Sequence, residues 1–442
     1  MCSNELLANA AATGLAAEGA SCSEHSDCGA NHCGWVRGAM GPGDDAVCCC
    51  RGYFAGYCYG LDAGETCSVD SQCESRNCEL VEDPTGIVGV VAIARCGEAA
   101  AFSTTDVTEN DLSKGIVAAY LSSQVYVLEA AARNEASEAE VERMPCFPDD
   151  AVAEYLPETT ECTGLRAYFD ETFSAYGYTA TLNGAMVAVF AGTTPDPTDT
   201  MDLQIDGMSA FSSAVLLGPD GRSFGAGAGF VLQYDAMRAE GFDPATLCAR
   251  NEHVLVTGHS LGGAVANLAA VDLLLHGCSV ELTTFGAPRT FAVLTSETED
   301  ALGNGAVDVQ AMIEGEDRFT ARRWVNEGDG VTSIPPTLMD FEHVATDVIS
   351  MHHMWWWKDD AERTFSFEAQ DYSAYNGGVT IGLYHLMTAE YNPLVTDSAV
   401  NGYIPRILEG LGHRYSPSGS DAAATTATVC AAVAAALIAT FI

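Results

Sequence analysis

The chain has 442 residues, enough for two or three domains and a full enzyme core. Its 61 acidic residues against 19 basic ones leave a formal charge of −42. A surface this negative repels nucleic acid and anionic membranes, so neither is a partner by electrostatic attraction, and it suits a salty or extracellular setting.

Residues 1–98 are set apart by cysteine. Of the 17 cysteines, twelve lie between Cys2 and Cys96. Cys22, Cys28 and Cys33 have the spacing C-x₅-C-x₄-C, and Cys67, Cys73 and Cys78 repeat it 45 residues later. Gly19 with Gly64, Ser23 with Ser68 and Ser26 with Ser71 extend the match. The repeat predicts two small disulfide-stapled modules in an oxidising compartment, each too poor in apolar residues to hold a core unaided. Paired C-x₂-C knuckles are missing, so no metal site is expected.

From about Thr104 to Tyr415 the composition is that of a globular α/β domain. A helix is predicted over 115–128, and Val187 to Phe190 reads as a short buried strand ending at Ala191-Gly192-Thr193. Residues 229–240 read as a second helix. Val254 to Thr257 and Val280 to Phe285 are apolar strands, joined by an uncharged Ala/Leu helix that runs to Leu275 and stops at Gly277. Together they form a βαβ unit with parallel strands. Cys248 and Cys278 each precede one of these strands, at the same expected sheet edge, which predicts a disulfide between them. Cys146 and Cys162 are the other expected bridge, closing a short acidic loop.

Between that first strand and its helix lies Gly258-His259-Ser260-Leu261-Gly262-Gly263-Ala264. A G-x-S-x-G run at a strand-to-helix turn lifts the serine hydroxyl out of the sheet beside a helix N-terminus. Gly258 and Gly262 stand where a Cβ would strike neighbouring backbone, and Gly263 and Ala264 let the helix lie close to the strand. Gly221-Arg222-Ser223-Phe224-Gly225 fits the same pattern. It reads as a loop with neither strand before nor helix after, so Ser260 is taken as the nucleophile. The backbone N–H of Leu261, directly after it, is one expected oxyanion donor.

A serine nucleophile needs a base, and the base needs an acid to orient it. Asp329, in a turn after Arg323-Trp324-Val325, is the most suitable acid downstream of Ser260. Five histidines follow it: His343, His352, His353, His385 and His413. Chain order alone does not choose among them.

Four segments in order, "VAVFAGTT" from Val187, the Gly258 elbow, "TFGAPR" from Thr284 and the run Asn326 to Pro336, resemble the class 3 lipases of the α/β-hydrolase superfamily. "AYLSSQVY" from Ala119 and "GFVLQY" from Gly229 fall where that family has similar segments. The resemblance spans roughly 104–410 and implies an α/β-hydrolase fold with a mostly parallel central sheet. It makes Ser260 the nucleophile, Asp329 the acid and His385 the base, the last by its place before a late helix. It also makes Thr193 the second oxyanion donor and puts a lid within Thr194 to Phe211. Two positions depart from the family pattern: Ala191 replaces an arginine, and Tyr384 replaces the aspartate before the histidine. No metal or organic cofactor is implied.

Residues 416–442 form a third segment. Small residues from Ser416 to Ser420, a neutral spacer and an apolar run from Val429 to Ile442 have the layout of a glycolipid-anchor (GPI) signal, with attachment near Ser418 to Ser420. A membrane span is the alternative, but no Lys or Arg follows the run. Anchoring requires secretion, yet Met1 to Ala20 has no basic start and carries Glu5; either the signal is atypical or, the favoured expectation, the natural chain begins earlier. The expectation is an extracellular serine esterase acting on acylglycerol lipids at an interface. A phospholipase A1 or short-chain esterase on the same scaffold is the alternative within enzymes. A surface-tethered cysteine-rich binding protein with an inert hydrolase domain is the alternative outside them.

Overall fold

The computed structural model describes residues 104–134, 136–147, 161–193, 212–250, 253–294, 306–326, 329–335, 341–344, 347–354, 364–370, 387 and 402–411, together with short strands before residue 97. The chain separates into two compact units, Met1–Ala101 with Tyr375–Thr380, and Phe102–Ala374 with Ile381–Ile442. In the first, three antiparallel pairs are described: Cys33–Gly34 with Val47–Cys48, Tyr53–Phe54 with Tyr57–Cys58, and Cys78–Glu82 with Ala92–Cys96. The pairing of its cysteines lies outside the described residues, as do the expected lid and the segment 416–442.

The second unit is built on a nine-stranded sheet. Its strands, in chain order, are β1 (Thr104–Asp106), β2 (Cys162–Asp170), β3 (Ala175–Leu182), β4 (Ala185–Phe190), β5 (His253–His259), β6 (Ser279–Phe285), β7 (Phe319–Asn326), β8 (Asp347–Met354) and β9 (Thr364–Gln370). Strands β2 to β9 lie side by side in sequence order, and β1 closes the edge beside β9. The five central strands, β4 to β8, run parallel; the outer ones are antiparallel. This is the α/β-hydrolase fold.

The central strands carry apolar residues on both faces because both faces are covered. Ala188 and Phe190 of β4 pack into one core with the helices α2 (Ala228–Ala239) and α3 (Leu261–Leu275). Their neighbours Val187 and Val189 pack into the opposite core with α1 (Glu109–Arg133) and α4 (Tyr403–Gly410). Helix α3 is buried over 14 of its 15 residues, which explains its lack of a polar face. Helix α1 starts six residues before the predicted 115, where Thr108 and Asp111 form a reciprocal capping box. By length and composition α1 is long and apolar enough to cross a membrane, but here it is a core helix.

One expectation is corrected. Residues around Ser223 are not a loop: Arg222–Gly227 is a strand paired antiparallel with Ser212–Leu217, and α2 opens directly after it. Ser223 is nonetheless no elbow, because it sits inside the strand opposite Leu216, with no turn to lift it. The alternation here is hidden by small residues, Gly225, Ala226 and Gly227, which read as loop.

Candidate active site

Between β5 and α3, Ser260 adopts φ 59° and ψ −133°, one of three non-glycine positive φ values among the described residues. Such a conformation costs of the order of 1–3 kcal/mol and persists because neighbours hold it. The Ser260 N–H donates to the Phe285 carbonyl of β6 at 2.9 Å, and its own carbonyl accepts from Gly263 at 2.9 Å. The side chain does not cap α3. A Cβ on Gly258 would lie 2.3 Å from the Gly262 oxygen, and one on Gly262 would lie 2.3 Å from the Phe190 oxygen. The turn is therefore wedged between its own helix start and the end of β4. Gly263 serves the expected contact with its strand, a would-be Cβ lying 3.3 Å from the Gly258 oxygen, and a second one besides. Its closest neighbour is Ala287 Cβ, 2.6 Å from a would-be Cβ, so it admits the "TFGAPR" loop as well as its own strand.

The end of β4 faces the elbow because β4 and β5 run parallel in register, Phe190 opposite Gly258. Two residues on, a Cβ at Gly192 would be 3.0 Å from Ser260 Cβ and 2.6 Å from the His259 oxygen. The Gly192 N–H donates to the Tyr126 hydroxyl at 3.2 Å. Thr193 follows, half-buried, and Leu261 is buried at the first position of α3.

Asp329 lies just beyond β7 and is fully buried. Its Oδ1 accepts from the Val331 N–H at 3.0 Å, capping the short 3₁₀ helix Gly330–Ser333. Its Oδ2 accepts from the Tyr403 hydroxyl at 2.6 Å. Burial and then the Asp329 carboxylate push the Tyr403 phenol well above its ordinary value, so it remains a donor. The Tyr403 ring meets the rings of His259 at 6.1 Å and Phe285 at 5.7 Å. Asp329 and the elbow are thus linked through one aromatic side chain.

Residues 221–339 match the profile of the Lipase (class 3) family. This stretch contains Ser260, Leu261 and Asp329, while Thr193 and His385 lie outside it. Over this stretch, about a quarter of its length, the chain is similar to the class 3 lipases. A Saccharomyces cerevisiae protein, LIH1, that bears a lipase name is 30% identical over 86 residues, 19% of this chain and 26% of the relative's length. The chain therefore spans about a quarter of that relative. Among solved structures, the nonglycosylated LIP2 lipase of Yarrowia lipolytica is 17% identical, with a TM-score of 0.45 over 68% of this chain and 95% of that one. The Rhizomucor miehei lipase propeptide complex is 19% identical, with a TM-score of 0.41 over 71% and 88%.

Of the expected site residues, Ser260, Leu261, Thr193 and Asp329 are described, and His385 lies outside the described residues. Met387, two residues later, is buried, and its carbonyl accepts from the Ile404 N–H at 2.9 Å, next to Tyr403. His343 is buried with Nε2 2.9 Å from the Thr332 carbonyl, which braces the Asp329 loop. His352 and His353 lie on β8, and His413 is outside the described residues. Arg289 donates from Nη1 to the Pro335 carbonyl at 2.7 Å, tying the "TFGAPR" segment to the Asp329 loop. Disulfides join Cys146 to Cys162 and Cys248 to Cys278. No group of three or more metal-ligating side chains occurs among the described residues.

Sequence reasoning missed Tyr126 and Tyr403. Tyr126 ends the "AYLSSQVY" segment, a usable signal. Tyr403 stands in no motif; its role follows only from where α4 packs.

Proposed function

We propose that this chain is a serine carboxylic-ester hydrolase acting on acylglycerol lipids. The observation that carries the reading is the strained Ser260 at a strand-to-helix turn, with the buried Asp329 bound to Tyr403, whose ring touches the elbow residue His259. His385 is proposed as the base because the class 3 lipase resemblance puts the family's histidine before a late helix, where Tyr384-His385-Leu386-Met387 stands.

In the proposed reaction His385 takes the Ser260 proton and Ser260 Oγ attacks the ester carbonyl carbon. The N–H groups of Leu261 and Thr193 receive the oxyanion, at about 3 kcal/mol per donor. Asp329 stabilises the imidazolium, which then protonates the departing alcohol. Water, deprotonated by the same histidine, hydrolyses the acyl-enzyme. The chemistry needs no metal or organic cofactor. Extracellular location and a glycolipid anchor near Ser418 to Ser420 belong to the same proposal; the cysteine content and the two disulfides of the domain support an oxidising compartment.

A fluorophosphonate probe should label Ser260, and Ser260→Ala should lose both labelling and ester hydrolysis while keeping its thermal midpoint. Retained turnover in Ser260→Ala would overturn the reading. A panel of triacylglycerols, phospholipids and short-chain esters then ranks substrates, with triacylglycerols expected first.

A further inference from the structure

We propose that Tyr126 is a positioning residue for the reaction, its single hydroxyl setting the oxyanion strand end, Gly192 and Thr193, against the nucleophile elbow. The inference rests on the hydrolase reading and adds to it a residue outside the triad and the oxyanion donors.

Tyr126 Oη lies 2.8 Å from His259 Nδ1, and it accepts the Gly192 N–H at 3.2 Å. With its oxygen receiving the Gly192 proton, the phenol is free to direct its own proton to His259 Nδ1. One hydroxyl therefore joins the residue before the nucleophile to the residue before Thr193. The join is tight: a Cβ on Gly192 would lie 2.6 Å from this hydroxyl and 3.0 Å from Ser260 Cβ.

Helix α1 is matched to β5 so that the hydroxyl arrives there. Ser122 and Tyr126 are one helical turn apart, and Thr257 and His259 are alternate residues of the strand. Four helical residues rise about 6 Å and two strand residues about 6.6 Å, so both pairs fit at once. The first pair is the Ser122 Oγ to Thr257 Oγ1 contact at 2.8 Å. Edge-on packing of Tyr126 on His259, centroids 5.9 Å apart at 71°, fixes the ring.

An oxyanion donor works only if it is already aimed where charge develops. Letting Gly192 drift would leave ester binding intact and weaken the transition state alone. The test is Tyr126→Phe in the full chain, with Ser122→Ala as control. Tyr126→Phe should lower kcat about tenfold, the worth of one hydrogen bond, with KM within about twofold. Fluorophosphonate labelling of Ser260 should slow by a similar factor. Ser122→Ala removes the other tie between the same helix and strand and should lower the thermal midpoint while kcat stays unchanged.

Should Tyr126→Phe not fold, the His259 variants carry the test. His259→Leu removes the hydroxyl's partner and should match the tenfold loss, whereas His259→Asn keeps an acceptor and should recover most of it. A Tyr126→Phe chain with wild-type kcat and labelling, or equal rates in the two His259 variants, overturns the inference alone. A folded wild-type chain that neither labels nor hydrolyses any ester overturns the hydrolase reading, and this inference with it.

Discussion

Asp329 is fully buried, and a buried carboxylate depends on its donors. Tyr403→Phe removes one of them without changing shape. A hydrogen bond to a charged group contributes about 1.5–3 kcal/mol, so kcat should fall roughly tenfold or more, read as steady-state turnover at saturating ester. Gly258→Ala should leave little folded protein, measured by soluble yield and far-UV dichroism, because its Cβ would meet backbone at 2.3 Å rather than a side chain that can move. Glu342 gives a pH signature. Burial, then the nearby Asp308, raises its carboxyl to about 7, so the folded state keeps a proton that the unfolded state releases near its ordinary value. Stability should therefore fall as pH rises from about 4.5 through about 7, and Glu342→Gln should flatten that fall in denaturant midpoints taken across the range. Local residue signals were legible where chemistry demands particular types in a row: Ser260 and its glycines, and Asp329 after a strand. Tyr403 was not legible, because a tyrosine 74 residues from its carboxylate leaves no spacing to read.

At the scale of elements, the two disulfides differ in what they close. Cys248–Cys278 spans 30 residues that hold β5, the elbow and α3, whereas Cys146–Cys162 spans 16. Chain-entropy reasoning gives about 3.6 kcal/mol for the first and about 3 kcal/mol for the second. The Cys248→Ser, Cys278→Ser double variant should thus lose more stability in chemical denaturation than the Cys146→Ser, Cys162→Ser one. The parallel centre of the sheet was readable because strands covered on both faces show short continuous apolar runs, as in Val254 to Val256. The second, four-stranded sheet was not. Its members include Phe291–Ala292 and Phe341–Glu342, two residues each, too short for any period to show. Helix α1 was half readable: its apolar middle was evident, while the end toward Glu109 depends on a capping box built with Asp111 in place of the commoner Glu or Gln.

Over the whole molecule, 61 acidic residues oppose 19 basic ones, and the compact state must hold that charge together. Raising salt toward physiological strength shortens the screening length to about 8 Å, so the thermal midpoint should rise with added sodium chloride, with most of the gain at low salt. The overall architecture was legible through four separated segments; the way its last described helix completes the site was not. Helix α4 seals that site late. Its Tyr403 holds Asp329, and its Arg406, buried, donates from Nη1 to the Asn326 side chain and to the Met351 carbonyl. Synthesis runs from the N-terminus, so a growing chain possesses its elbow long before it possesses the hydroxyl that steadies its acid. Until α4 leaves the ribosome the nascent protein is a lock without its bolt, and Asp329 gains its phenol donor only long after the elbow has been made.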